Sequence, residues 1–191
     1  MKTTRTLGFT LIILSLLIAT APAKTLKGVT LPDTAIIEGR HCSLVGMGVR
    51  KKFFFKIYVG GLYMEHPTHK PNRVISDLGI KRVVMHFLYK KISADKLRKA
   101  WTEGFKANLS EKKFESLEKK INRFNAFFTE PVRKGDEIWV TYLPGKGTQV
   151  VVKGNEKGTI PGINFMKAVF AIWFGEVPAD SHLKWGMVGE E

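Results

Sequence analysis

The sequence predicts an α+β fold, an antiparallel sheet covered by a layer of helices. Three observations carry that expectation. Ser43–Met64 is rich in β-branched and aromatic residues and is broken by Gly46, Gly48, Gly60 and Gly61. That is the composition of sheet interior containing bulges or close backbone approaches. After Lys91 the apolar period changes from two to about 3.6, with Leu97, Trp101 and Phe105 recurring four apart. Finally, Ile163–Phe174 has only Asn164 and Lys167 as strongly polar members, so it reads as a helix buried on nearly every side.

The chain opens with a segment that reads as an export leader. Lys2 and Arg5 form a basic start, Leu7–Ala19 an apolar run, and Ala21-Pro22-Ala23 a small-residue cleavage pattern. The run is short for a bilayer span and no charged stop follows it. The expectation is a signal peptide over residues 1–23, cleaved after Ala23, then one domain over residues 24–191 in the periplasm. The 191 residues carry a net charge of +14, and the leader holds two of the positive charges and no negative one. A basic balance often marks nucleic-acid binding. Export argues against that partner and leaves an anionic membrane surface, an acidic protein, or a merely well-solvated exterior. Cys42 is alone, so no internal disulfide forms and the residue reads as a small buried hydrophobe.

Gly28–Pro32 ends at a proline, as a short edge strand does, and Pro32-Asp33 opens a turn. Ser43–Met64 is too long for one ordinary strand. It must bend or reverse, with Arg50-Lys51-Lys52 or the glycines as candidate breaks. Glu65–Asn72, with Pro67 and Pro71, reads as loop. His66 and His69 stand three apart there, but the prolines forbid a helix and no third ligand has matching spacing, so no metal or other cofactor is expected. Lys81–Lys91 is a strand. Ser93 caps a first amphipathic helix, and a second starts at Ser110, with Phe114, Leu117, Ile121, Phe124 and Phe128 on its inner stripe. Both helices turn basic residues outward. Ile138–Leu143 and Thr148–Lys153 are strands joined by Pro144–Gly147, and Gly154-Asn155 turns the chain again. Gly175 ends the buried helix, and Asp180 or Ser181 caps a last short one.

Leu44-Val-Gly-Met-Gly-Val-Arg50 and Lys56-Ile-Tyr-Val-Gly-Gly-Leu-Tyr-Met64 resemble segments of the chalcone isomerase fold family. The strand-helix-helix block over residues 81–128 also fits. Phe170–Asp180 resembles the exported bacterial branch of chalcone isomerase-like proteins. The resemblance covers about Leu26–Gly189. It implies an open-faced β-sandwich, a large antiparallel sheet backed by helices with a ligand cleft between. In the plant enzymes of that family an arginine positions the reacting phenolate, while a threonine and a tyrosine polarise the ketone and an asparagine holds the substrate. Non-catalytic relatives grip a fatty-acid carboxylate with the arginine and a tyrosine. By this resemblance Arg50 takes the arginine position and Tyr58 falls at or near the threonine. Ile92 and Lys99 fall near the tyrosine and asparagine, and neither can do their chemistry.

Arg50 is thus the candidate anchor, with Tyr58, Tyr63, Trp101 and Phe105 as further ligand contacts. A guanidinium beside apolar strands needs an anion, supplied by a ligand or by a structural acid such as Glu38 or Asp136. On one continuous strand Arg50 and Tyr58 would stand roughly 26 Å apart. They meet only if the chain reverses near Phe54, where three phenylalanines are poor turn residues. Sequence leaves open whether Tyr58, Tyr63 or Tyr89 is the phenol nearest Arg50.

The leading expectation is an exported, non-catalytic protein binding a small amphipathic anion such as a fatty acid. One alternative is an isomerase, a chalcone isomerase-like intramolecular lyase using Arg50 and Tyr58. Another is an envelope interaction protein acting through its basic helix faces.

Overall fold

The computed structural model describes residues 22–190; nearly all of the predicted leader lies outside the described residues. In chain order the strands and helices are β1 (Ala23–Leu26), β2 (Val29–Pro32), β3 (Thr34–Ile37), β4 (Arg40–Lys52), β5 (Phe55–Met64), α1 (Pro71–Ser76), β6 (Lys81–Phe87) and β7 (Lys91–Ile92). Then come α2 (Ala94–Asn108), α3 (Glu111–Ala126), β8 (Val132–Arg133), β9 (Glu137–Leu143), β10 (Gly147–Val152), β11 (Asn155–Ile160), α4 (Ile163–Phe174) and α5 (Ser181–Met187). Seven strands form one sheet in the order β11-β10-β9-β6-β5-β4-β3, with every pairing antiparallel.

Side chains alternate across this sheet, and each face has its own core. One face packs under α1–α5 in a cluster that includes Tyr58, Leu62, Met85, Phe87, Ile138 and Val140. The other face carries Val49, Val59, Tyr63 and Val84, which join Val29 and Leu31 of the β1–β2 hairpin. Cys42 is buried in this second cluster, and that burial pushes its thiol pKa up.

The glycines of Ser43–Met64 have two uses. A β-bulge interrupts the β4–β5 register at Leu44/Gly46 and another at Arg50/Lys51. Elsewhere the missing side chains admit α5. A Cβ on Gly48 would lie 2.6 Å from the Leu183 carbonyl oxygen, and one on Gly60 would lie 2.7 Å from Met187 Sδ. Any side chain at Gly48 would push the helix off the strand, because its neighbour is backbone. Asp180 caps α5 by accepting from the Leu183 N–H at 3.0 Å. Its second oxygen accepts from the Lys51 N–H at 2.9 Å.

Three local details differ from the sequence reading. The long β-rich stretch reverses at Phe53-Phe54 rather than within Arg50-Lys51-Lys52 or at a glycine, with Phe53 in the left-handed region at φ 54°. Within the expected loop a short helix starts at Pro71, where the proline occupies the first turn and gives up no hydrogen bond. Beyond Gly154 the chain makes a further edge strand, β11, whose Asn-Glu-Lys-Gly sequence lacks any apolar alternation. Ser93 caps α2 as expected, accepting from the Lys96 N–H at 3.3 Å. No helix among the described residues is long and apolar enough to cross a membrane.

Candidate functional site

The reversal at Phe53-Phe54 makes β4 and β5 antiparallel partners, and the register sets Arg50 directly opposite Tyr58. Tyr58 is in turn opposite Phe87 on β6. Directly opposed residues share a face, so Arg50, Tyr58 and Phe87 form a row across three strands on the helix-covered side. The bulge beside this row bends the strands locally, as bulges next to binding sites commonly do.

Above the row lies a cavity of two adjoining lobes that share Arg50, Ile57, Ile92, Lys96, Ala100 and Glu103. The inner lobe, about 220 Å³, is walled by Tyr58, Phe87, Leu97, Trp101, Ile172 and Trp173. The outer lobe, about 410 Å³, is bounded by Lys52, Phe53, Phe55, Tyr89, Lys91 and Lys99. One end of the cavity is therefore apolar and aromatic, and the other basic.

Three polar side chains of the inner-lobe wall, Arg50, Tyr58 and Trp173, meet beside one another. Trp173 Nε1 donates to the Tyr58 hydroxyl oxygen at 3.0 Å. That leaves the phenol proton free for an acceptor in the cavity. Burial pushes the Tyr58 pKa up, against the opposing influence of Arg50, so the phenol keeps its proton at neutral pH. The Arg50 guanidinium carbon stands 5.8 Å from the centre of the Tyr58 ring. Arg50 Nε and Trp101 Nε1 are both buried, and neither has a hydrogen-bond partner among the described residues. A buried donor without a partner costs about 1–3 kcal/mol, and native structures rarely leave one without reason.

The acids proposed as structural partners for Arg50 are engaged elsewhere. Glu38 accepts from Lys146 Nζ at 2.7 Å. Asp136 accepts from the Arg133 N–H at 2.8 Å and lies 3.7 Å from Lys153 Nζ. Asp180 has both oxygens occupied by backbone N–H groups. Glu103 lines the cavity, but its carboxylate is exposed and pairs with Lys99 at 4.0 Å.

Of the residues expected from sequence, the structure brings Arg50, Tyr58 and Trp101 together at the inner lobe. Ile92 faces both lobes and Lys99 the outer one. Tyr63 belongs to the opposite face of the sheet, where its hydroxyl donates to the Pro32 carbonyl at 2.8 Å. It is five residues from Tyr58 on one strand, and an odd spacing sends two side chains to opposite faces. Phe105 is fully buried against Phe124 and Phe165 and does not line the ligand space. Tyr89 lies at the outer lobe, its ring 5.5 Å from that of Phe55.

Trp173 was not anticipated. It sits in a helix apolar on nearly every side, so periodicity does little to distinguish its face. No group of three or more His, Cys, Asp and Glu side chains among the described residues is placed to hold a metal.

Fold and site together define an antiparallel sheet with a helical cover and a cavity between them. The chain belongs to the chalcone isomerase-like family, whose model matches residues 23–189. Among solved structures it is similar to a fatty-acid binding protein of Arabidopsis thaliana, with a TM-score of 0.70 and 15% sequence identity, over 87% of this chain and 96% of that one. At that identity the likeness shows the fold. None of the curated proteins gives a match.

Proposed function

We propose that this protein binds a fatty-acid-like carboxylate in the two-lobed cavity and does no chemistry on it. The observation that carries the reading is Arg50, a cation that lines both lobes and stands directly opposite a phenol with a free proton, at the floor of a largely apolar inner lobe. A carboxylate would accept from both groups, and its alkyl chain would lie against the aromatic wall. The likeness to a fatty-acid binding protein supports this. So does the outer lobe, whose volume of about 410 Å³ falls within the roughly 300–1,000 Å³ common for small-molecule sites.

The isomerase alternative draws on the same pair, with Tyr58 as acid and Arg50 stabilising an enolate or phenolate. Against it stand Ile92 and Lys99, which face the cavity from positions where the plant enzymes carry a tyrosine and an asparagine. An apolar wall and a lysine do not rebuild a carbonyl-polarising water site.

Export to the periplasm, as in the exported bacterial branch of the family, is part of the proposal. It rests on the basic start, apolar run and Ala21-Pro22-Ala23 pattern of the leader. An anionic membrane surface is then the natural electrostatic partner of so basic a chain.

The test is mass spectrometry of protein purified under native conditions and then denatured. A fatty acid released from the wild type and missing from Arg50→Ala is the expected result. An empty wild-type protein that turns over a chalcone would reverse the order of the two readings.

A further inference from the structure

Eight large hydrophobic side chains are exposed among the described residues, and three of them are consecutive: Phe53, Phe54 and Phe55, at 85%, 99% and 55% exposure. They form the tip of the β4–β5 hairpin. A two-residue hairpin turn ordinarily takes Asn-Gly or Asp-Gly, yet here a phenylalanine occupies the left-handed position, with Phe53 at φ 54°. Turn chemistry has yielded to the aromatic side chains, and broken local rules tend to fall at functional sites.

The tip is also the rim of the cavity. Phe53 and Phe55 border the outer lobe alongside Lys52, Lys91, Lys96 and Lys99, all four lysines exposed, with Glu103 as the one acid in the lining. Lys51 and Lys56 flank the tip on the hairpin itself and are exposed as well. An aromatic apex inside a collar of lysines, with a ligand opening between them, has the chemistry of an anionic bilayer surface. Aromatic rings favour the headgroup boundary, and lysines favour anionic lipid. A narrow turn is a poor match for a protein partner, which needs roughly 800 Å² of contact on each side.

We propose that the Phe53-Phe54-Phe55 tip inserts into the boundary of an anionic membrane, and that the lipid ligand enters the cavity directly from the bilayer through the outer lobe. The second part rests on the fatty-acid reading above; the first does not. Arg50 lines both lobes, so a carboxylate entering between the lysines meets the anchor without first crossing open water.

The test uses co-sedimentation with vesicles of phosphatidylglycerol and phosphatidylcholine, beside vesicles of phosphatidylcholine alone. The wild type binds the anionic vesicles, and added salt weakens the binding. The variant Phe54→Ser, at the tip residue that is 99% exposed and lines neither lobe, binds them about fivefold or more weakly. Its affinity for decanoate in vesicle-free solution stays at the wild-type value. Equal vesicle binding by wild type and tip variant overturns the membrane proposal and leaves the fatty-acid reading intact. Tip-dependent vesicle binding by a wild type that takes up no decanoate upholds the docking and overturns the ligand reading. A wild type that ignores vesicles but self-associates through the tip, shown by sedimentation velocity on both proteins, overturns the membrane proposal in favour of a second copy of this chain.

Discussion

Arg50 and Lys81 are cations on the same face of the same sheet, and the chain surrounds them in opposite ways. Lys81 is fully buried. Its ammonium donates to the carbonyls of Val74, Ile75 and Asp77 at 2.6, 3.3 and 2.8 Å. It also lies 4.9 Å from the centre of the Phe170 ring. All three protons of the ammonium have acceptors, and those acceptors are carbonyls at the end of α1 that the helix itself leaves free. Arg50 borders open space, and its buried Nε has no acceptor among the described residues. A buried cation whose donors are all engaged by backbone holds the structure together. A half-buried one that lines a cavity is placed for something that arrives later.

Four measurements bear on that contrast, taken from the largest expected effect to the smallest. Lys81→Met should destabilise the protein by about 3 kcal/mol in urea unfolding, because it strips buried carbonyls of their donor. A change below about 1 kcal/mol would show that water satisfies those carbonyls. Arg50→Met should weaken fatty-acid binding roughly 30-fold while shifting the stability of the ligand-free protein by less than about 1 kcal/mol. Loss of stability as large as that of Lys81→Met would make Arg50 a structural cation too.

The third measurement uses pH. Burial pushes the Lys81 pKa down from 10.5 to about 8, with Asp77 opposing the shift. An amine whose pKa folding lowers binds fewer protons folded than unfolded between those two values. Stability from this group therefore rises with pH across that window and is lost as pH falls through about 8. The wild type should gain on Lys81→Met by on the order of 2 kcal/mol between pH 8 and 10. A flat difference would mean that the ammonium keeps its ordinary pKa. The smallest effect belongs to Tyr58→Phe, about 1 kcal/mol, since it leaves the buried Trp173 N–H without its acceptor. Its loss of fatty-acid affinity should be clearly smaller than that of Arg50→Met.

Much of the fold was legible in the sequence because binary patterning and caps agree with it. Ile163–Phe174 and its Gly175 end stand as read, and so do the Ser93 cap and the apolar stripes of α2 and α3. The site was half legible. Arg50 stood out as a charge among strand residues, but its meeting with Tyr58 depends on a reversal at phenylalanines that no turn rule anticipates. Phe53-Phe54 turns because the strands on either side are committed to pairing, a long-range decision. Tyr63 could have been set aside from its odd spacing to Tyr58. Trp173 and β11 could not be found, since one lies in a nearly all-apolar helix and the other in a polar edge strand, and neither has a clear face for a pattern to reveal.

The hydrogen bonds that complete the cavity span most of the polypeptide. Trp173 reaches Tyr58 across 115 positions, and Asp180 reaches Lys51 across 129. The floor comes from the first half of the chain and part of the roof from its last few turns. Contacts this far apart in sequence form slowly, because much of the chain must be ordered before they close. Synthesis therefore delivers the anchor long before the tryptophan that holds the phenol. The binding site cannot be complete until the last helices of the chain have been made.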